Sequence, residues 1–231
     1  MDVILIPGFW LNAASWNGVV PALEAAGHRV QALTLPGLAS RDDHRAGIGL
    51  ADHVAAVVAV IDGMAVPVVL VGHSGGGAIA HAAVDARPDG VARVVYVDSV
   101  PLGDGGVIND QLPVVDGEVP LPDWSVFDAE DLTDLDERLR ERFRAVAIPE
   151  PAAVTSDRQA LHDPRRYDVP ITVITCEFSS KMLRELMAKD HLYLAELAKV
   201  RDATLVDLPT GHWPQFTKPA ELGAAIVAAL A

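Results

Sequence analysis

Short runs rich in apolar and β-branched residues recur along the chain, most of them closed within a few positions by Gly, Pro or Asp. They fall at residues 2–6, 28–33, 67–71, 93–97, 171–175 and 203–207. Runs of this length bounded by turn residues predict buried strands. The stretches between several of them carry helical signals. Asn12 or Ser15 caps a helix running to about Ala26, with Gly27 as its stop, and an Ala- and Val-rich helix spans Leu50 to about Asp62. A further helix follows position 74 and ends before Pro88, one or two lie between Ser180 and Lys199, and a last one runs from about Pro219 to Leu230. Strand and helix alternating in this way imply right-handed βαβ units and a parallel sheet covered on both faces.

From Pro101 to about Asp168 the rhythm breaks. Gly, Pro and Asp punctuate this stretch, and it predicts one helix, about Leu132 to Ala147, with Asp134, Asp136 and Glu137 early and Arg138, Arg140, Arg142 and Arg144 late, as the helix dipole favours. Its few apolar residues argue for an insertion over the sheet, not a unit that folds alone. The expectation is one domain over residues 1–231 with a cap insertion at about 101–168.

Composition narrows the function classes. Half the residues are apolar and 22% are charged, which excludes a disordered chain, and 231 residues suit one α/β domain. A formal net charge of −14 opposes binding to phosphate backbones and anionic membranes, so no nucleic-acid or membrane partner is expected. The single cysteine, Cys176, excludes an internal disulfide framework and a multi-cysteine metal site. No apolar run reaches the roughly 18 residues of a membrane span, and Val3-Ile4-Leu5-Ile6 opens without a basic leader, so the chain reads as cytoplasmic.

The chemistry is concentrated in Val68-Val69-Leu70-Val71-Gly72-His73-Ser74-Gly75-Gly76-Gly77. A strand here turns abruptly into a helix, and small residues at 72 and 76 give the turn room. Gly-x-Ser-x-Gly in that context is a nucleophile elbow, which projects the Ser74 hydroxyl beyond the sheet edge. The helix beginning at Gly75 points its first N–H groups and its dipole at whatever Ser74 attacks. A dinucleotide fingerprint is excluded, because position 74 is serine.

A serine hydroxyl needs a positioned base. His212, in Gly211-His212-Trp213 just after the last strand, belongs to the same carboxyl edge of the sheet as Ser74, where open parallel sheets bind ligands. His73 lies inside the turn and points away from substrate. His28, His53, His81 and His191 read as helix or strand-entry residues, and His44 and His162 as loop residues. No metal site is expected: Asp42-Asp43-His44 are consecutive and rarely converge on one ion, and no His-Glu-x-x-His spacing occurs.

Pro7-Gly8-Phe9-Trp10, Gly72-His73-Ser74-Gly75-Gly76 and Gly211-His212-Trp213 occur in that order, each after a strand. Together they resemble the α/β-hydrolase superfamily, and within it the small cofactor-free esterases of the branch that includes the plant hydroxynitrile lyases. The resemblance is clearest over residues 2–100 and 168–231. It implies a three-layer sandwich with a six-stranded, mostly parallel sheet, lacking the family's first two strands, and no cofactor. Pro7 replaces the histidine usual in the first motif. By resemblance the backbone N–H groups of Phe9 and Gly75 form the oxyanion hole.

The third triad member departs from the family pattern. The family's usual spacing, counted from Cys176, arrives at Ser179, which is no acid. Glu177 on that loop is the preferred acid, Asp98 at the end of the preceding strand is the alternative, and Asp207 reads as a strand-end residue. An acid is needed to orient the imidazole and stabilise its charged form. Trp10 and Trp213 flank the inferred site and are candidate substrate-binding walls. The expected activity is hydrolysis of small carboxylic esters through an acyl-enzyme on Ser74, with His212 as general base. Two alternatives stay open: the same triad serving carbon–carbon lyase or perhydrolase chemistry, and a small-molecule receptor with an idle triad.

Overall fold

The computed structural model describes residues 1–231. Its strands are β1 (Asp2–Ile6), β2 (Arg29–Ala32), β3 (Val68–His73), β4 (Val91–Val97), β5 (Glu118–Val119), β6 (Glu150–Pro151), β7 (Ile171–Thr175) and β8 (Ala203–Asp207). Its helices are α1 (Val20–Ala25), α2 (Leu50–Asp62), α3 (Gly75–Ala86), α4 (Glu137–Val146), α5 (Ala152–Ser156), α6 (Ser180–Met187), α7 (Pro214–Thr217) and α8 (Pro219–Ala229). Six strands form one sheet in the order β2–β1–β3–β4–β7–β8, and every pairing in it is parallel. The expected six-stranded sandwich is therefore present. No helix is long and apolar enough to cross a membrane.

Alternate residues of the strands feed two cores, because successive side chains of a strand point to opposite faces. Ile4, Ile6, Leu70, Val94, Tyr96 and Val173 pack on one face with Val57 and Ile61 of α2, Ile79 and Ala83 of α3 and Leu183 of α6. Val3, Leu5, Val69, Val71, Val95 and Val97 pack on the other with Trp16, Leu23 of α1 and Leu222 and Ile226 of α8. Helix α3 is buried from Gly75 through Asp85. Register then aligns the functional strand ends: His73 pairs with Val97 and Val97 with Ile174, so Ser74 and Asp98 emerge side by side at the carboxyl edge.

Two predicted helices differ from the sequence expectation. The helix predicted over 12–26 is a 3-10 turn at Ala13–Trp16 followed by α1, because Gly18 and Pro21 interrupt it. The cap helix starts at Glu137 and not near Leu132, since Asp136 caps it by accepting the Leu139 N–H at 2.8 Å. Between Ser180 and Lys199, α6 fits the expected one or two helices, and the 3-10 turns Leu192–Leu194 and Leu197–Lys199 follow it.

The segment between β4 and β7 lies over the carboxyl edge and carries the two-stranded antiparallel ribbon β5–β6. Its apolar cluster contains Val119, Leu135, Phe143 and Val154, completed by Phe9, Trp10 and Trp213 from the loops after β1 and β8. The cap is thus built onto the two loops that flank Ser74.

Candidate active site

Ser74 sits between β3 and α3 with φ 52° and ψ −126°, a strained backbone for a non-glycine residue. A Cβ on Gly72 would collide with the main chain of Gly76, and one on Gly76 with the carbonyls of Ile6 and Pro7. The main chain of Ser74 is held on both sides. Its N–H donates to Val97 O at 3.1 Å, and its carbonyl accepts from Gly77 N and from Ser99 Oγ, each at 2.8 Å. Ser99 escaped the sequence reading, where it was only the residue after a strand-end acid.

His212 comes from the loop after β8. Its Nε2 lies 2.8 Å from Ser74 Oγ, and its Nδ1 lies 2.7 Å from Asp98 Oδ2. The loop is held by the cap, to which Gly211 N–H donates at Thr133 O (3.0 Å) and His212 N–H at Asp131 O (2.8 Å). A side chain at Gly211 would run into both of those carbonyls. From the elbow, the His73 ring donates to His212 O at 2.6 Å. His73 is wholly buried and stays off the cavity wall.

Two carboxyl groups meet the imidazole. Glu177 Oε1 lies 2.8 Å from the same Nδ1, yet off the hydrogen-bond direction, and this oxygen has no hydrogen-bond partner. Asp98, by contrast, makes the directed bond, and its other oxygen accepts the N–H groups of Cys176 (2.8 Å) and Glu177 (3.3 Å). Geometry therefore favours Asp98 over Glu177, reversing the sequence preference. The cause is backbone: Asp98 turns out of β4 with φ 43°, which no spacing argument could foresee. Asp207 caps the start of α6 through Ser180, away from the imidazole.

Charge in this cluster is unevenly shared. Burial disfavours the Asp98 carboxylate, but the hydrogen bond and charge of His212, together with hydrogen bonds from Glu177 and the Cys176 N–H, outweigh it and hold its pKa below the usual value. Burial and the neighbouring Asp98 charge push Glu177 up to about 7. Burial also disfavours charged His212, but the two carboxyl groups overcome this and raise its basicity. Atoms of the three residues lie within 4.8 Å of one another. At 2.7–2.8 Å from Nδ1 the oxygens stand at hydrogen-bond distance, shorter than the roughly 3.3 Å between ligand atoms of a tetrahedral ion bound at about 2 Å.

A cavity of about 830 Å³ opens over Ser74. Phe9, Gly75, Trp10, Ala78, Ile108 and Phe127 line its apolar part, and Arg166, Glu196 and Lys199 its far wall. Behind that wall runs a buried polar network. Arg166 donates to Glu196 (2.9 Å) and Asp85 (3.0 Å), and His81 bridges Glu196 (3.2 Å) and the Tyr96 hydroxyl (2.9 Å). Trp10 is among the residues that line the cavity, whereas Trp213 is not. It is 2% exposed and packs edge-on against Trp124 and Phe127, because the cap closes over it.

The model of the alpha/beta hydrolase family matches residues 3–225. The chain belongs to that family. A pyrethroid hydrolase of Sphingobium wenxiniae is 35% identical over 121 residues, which is 51% of this chain and 41% of that protein, so less than half of that relative's length is matched. Among solved structures, an extracellular alpha/beta-hydrolase from a Paenibacillus species, described as a structural and functional homologue of tobacco salicylic acid binding protein 2, superposes with a TM-score of 0.79. It is 20% identical, with 99% of this chain and 98% of that one covered. A methylesterase from Arabidopsis gives a TM-score of 0.77 at 18% identity, covering 100% of this chain and 98% of that one. At these identities the two structures speak for a hydrolase fold shared along the whole chain.

Proposed function

We propose that this α/β-hydrolase cleaves small carboxylic esters through an acyl-enzyme on Ser74. The observation that supports this best is the hydrogen-bonded row Asp98–His212–Ser74, at 2.7 and 2.8 Å, beneath a cavity with an apolar wall. His212 carries its proton on Nδ1, donated to Asp98, which leaves Nε2 free to take the Ser74 proton. Ser74 Oγ then attacks the ester carbonyl. The oxyanion that forms faces the N–H groups of Phe9 and Gly75, and loss of one such donor costs about 10²–10³ in rate. The imidazolium returns its proton to the leaving alcohol, and water, activated by the same nitrogen, clears the acyl group. Glu177 stands beside Asp98 as a second carboxyl that holds a proton through the acid half of the pH range.

The names of the curated relative and of the methylesterase neighbour point to the same substrate class. The test is labelling with a fluorophosphonate and mapping of the modified residue, together with p-nitrophenyl acetate turnover. Modification at Ser74, and turnover lost in Ser74→Ala, are the expected results. Labelling elsewhere, or full turnover in Ser74→Ala, would refute the reading.

A further inference from the structure

The turn that bears Phe9 is held by the cap through the next residue. Trp10 has φ 64°, a left-handed backbone seldom adopted by a bulky side chain. Three hydrogen bonds keep it there. Its N–H donates to Glu150 Oε2 at 3.2 Å, its indole N–H to Val119 O at 3.0 Å, and its carbonyl accepts Ile148 N–H at 2.9 Å. All three partners belong to the cap, and only Glu150 contributes a side chain.

Glu150 on β6 is 1% exposed and has no cation bonded to it. Arg45, the nearest guanidinium to act on it, is committed to Glu118 and to the carbonyls of Ser40, Arg41, Asp43 and Pro149. On the α2 side the Glu150 Oε1 faces His53 Nδ1 at 3.8 Å. His53 donates from Nε2 to Pro36 O at 2.9 Å, so its Nδ1 is a bare lone pair, and it has no other partner. A carboxyl group between an N–H donor and a lone pair fits the neutral acid, with one oxygen accepting and the other holding the proton. Burial, opposed by the Trp10 N–H and Arg45, raises its pKa to about 8, in accord with that state.

We infer that Glu150 is a positioning residue for the oxyanion hole: its neutral carboxyl pins the Trp10 main chain and so fixes the adjoining Phe9 N–H beside Gly75. This rests on the serine-hydrolase reading of Ser74. Glutamine reproduces the neutral acid atom for atom, with a carbonyl for Trp10 and an N–H for His53. Aspartate keeps a carboxyl but withdraws it by one methylene, and alanine removes it.

The experiment compares Glu150→Gln, Glu150→Asp and Glu150→Ala. It measures kcat and KM on p-nitrophenyl acetate, affinity for a trifluoromethyl ketone that mimics the tetrahedral adduct, and hydrogen exchange of the Trp10 amide. Glu150→Asp and Glu150→Ala should lower kcat by about 10- to 100-fold with KM within about twofold, the pattern of an interaction made in the transition state. They should weaken the ketone in proportion and expose the Trp10 amide to exchange, while Glu150→Gln restores all three. Unchanged kcat in Glu150→Asp, or failure of Glu150→Gln to rescue, would overturn the inference. Should Glu150→Ala not fold, the aspartate and glutamine variants decide it. Absence of Ser74-dependent turnover in the unaltered protein would instead fell the hydrolase reading, and Trp10 exchange would still decide whether Glu150 holds the turn.

Discussion

His73 donates a ring N–H to the main-chain carbonyl of His212 across 2.6 Å. The residue before the nucleophile thereby holds the backbone of the base, while the cap holds the same residue's N–H through Asp131. Burial, with the His212 charge nearby, lowers the His73 pKa to about 3, so it stays neutral through the physiological range and acts as a fixed donor.

Removing that donor should matter more for turnover than for binding. His73→Leu leaves the His212 carbonyl without its partner, at an expected cost of about 1–3 kcal/mol in stability. Slackening of the base should lower kcat while KM changes little. Denaturant unfolding and steady-state kinetics on p-nitrophenyl acetate check the two halves. An unaltered kcat would show that the His212 loop is set by the cap alone.

The two acids around His212 should separate by their protonation. Asp98→Asn removes the acceptor that fixes the imidazole tautomer, and kcat should fall by about 10²–10⁴. Glu177→Gln replaces a carboxyl that is already protonated below about pH 7, so at pH 6 the loss should stay under about tenfold. Both carboxyl groups raise the basicity of His212, hence Asp98→Asn should move the acid limb of kcat/KM to lower pH, and Glu177→Gln should do so only in so far as the limb lies above about pH 7, where Glu177 is ionised. A larger loss in Glu177→Gln than in Asp98→Asn would transfer the orienting role to Glu177.

Local features of the chain were legible beforehand, and features made by distant packing were not. The elbow is readable because strand, glycines and helix are contiguous in sequence, and His212 because it follows the last strand. The choice of acid was not, because β4 and β7 are neighbours in the sheet and each is followed within two residues by an acid at the same edge, Asp98 and Glu177. Which one makes the directed bond depends on the Asp98 backbone, φ 43°. Trp213 has the composition of a cavity wall but is enclosed by Trp124, Phe127 and Phe143, and the first two lie on or beside a three-residue 3-10 turn too short to be read from periodicity. Glu150 left no sequence signal at all, since its partner Trp10 lies 140 positions away.

The far wall of the cavity should be a stability determinant. Glu196 accepts from Arg166, Lys199 and Tyr167, and His81 also reaches it. Burial opposes its charge, but the bonds to His81, Lys199 and Arg166 prevail and depress its pKa. Glu196→Leu leaves the buried Arg166 with Asp85 as its sole carboxylate, and losing one member of such a set typically costs about 3–5 kcal/mol. Calorimetry near pH 7 should show the lowered Tm. Since the wild-type carboxylate is stabilised by its depressed pKa, its contribution is present above the unfolded value of 4.5 and fades as pH falls, so the gap between the two proteins should narrow in acid.

Glu150 should leave the opposite signature. In the unfolded chain its carboxyl ionises near 4.5, whereas in the folded protein it keeps its proton to about 8. Between those values the native state binds more protons than the unfolded one, so rising pH favours unfolding at this site, and the effect levels off above about pH 8. Glu150→Gln has no proton to release there. Its stability relative to the unaltered protein should therefore increase as pH climbs from 5 to 8, at up to about 1.4 kcal/mol per pH unit. Every other titrating group is common to both proteins, so the difference isolates this carboxyl. Unfolding free energies from urea titrations at pH 5, 6.5 and 8 provide the measurement, and a difference that stays flat across the series would mean that Glu150 is already ionised in the native state.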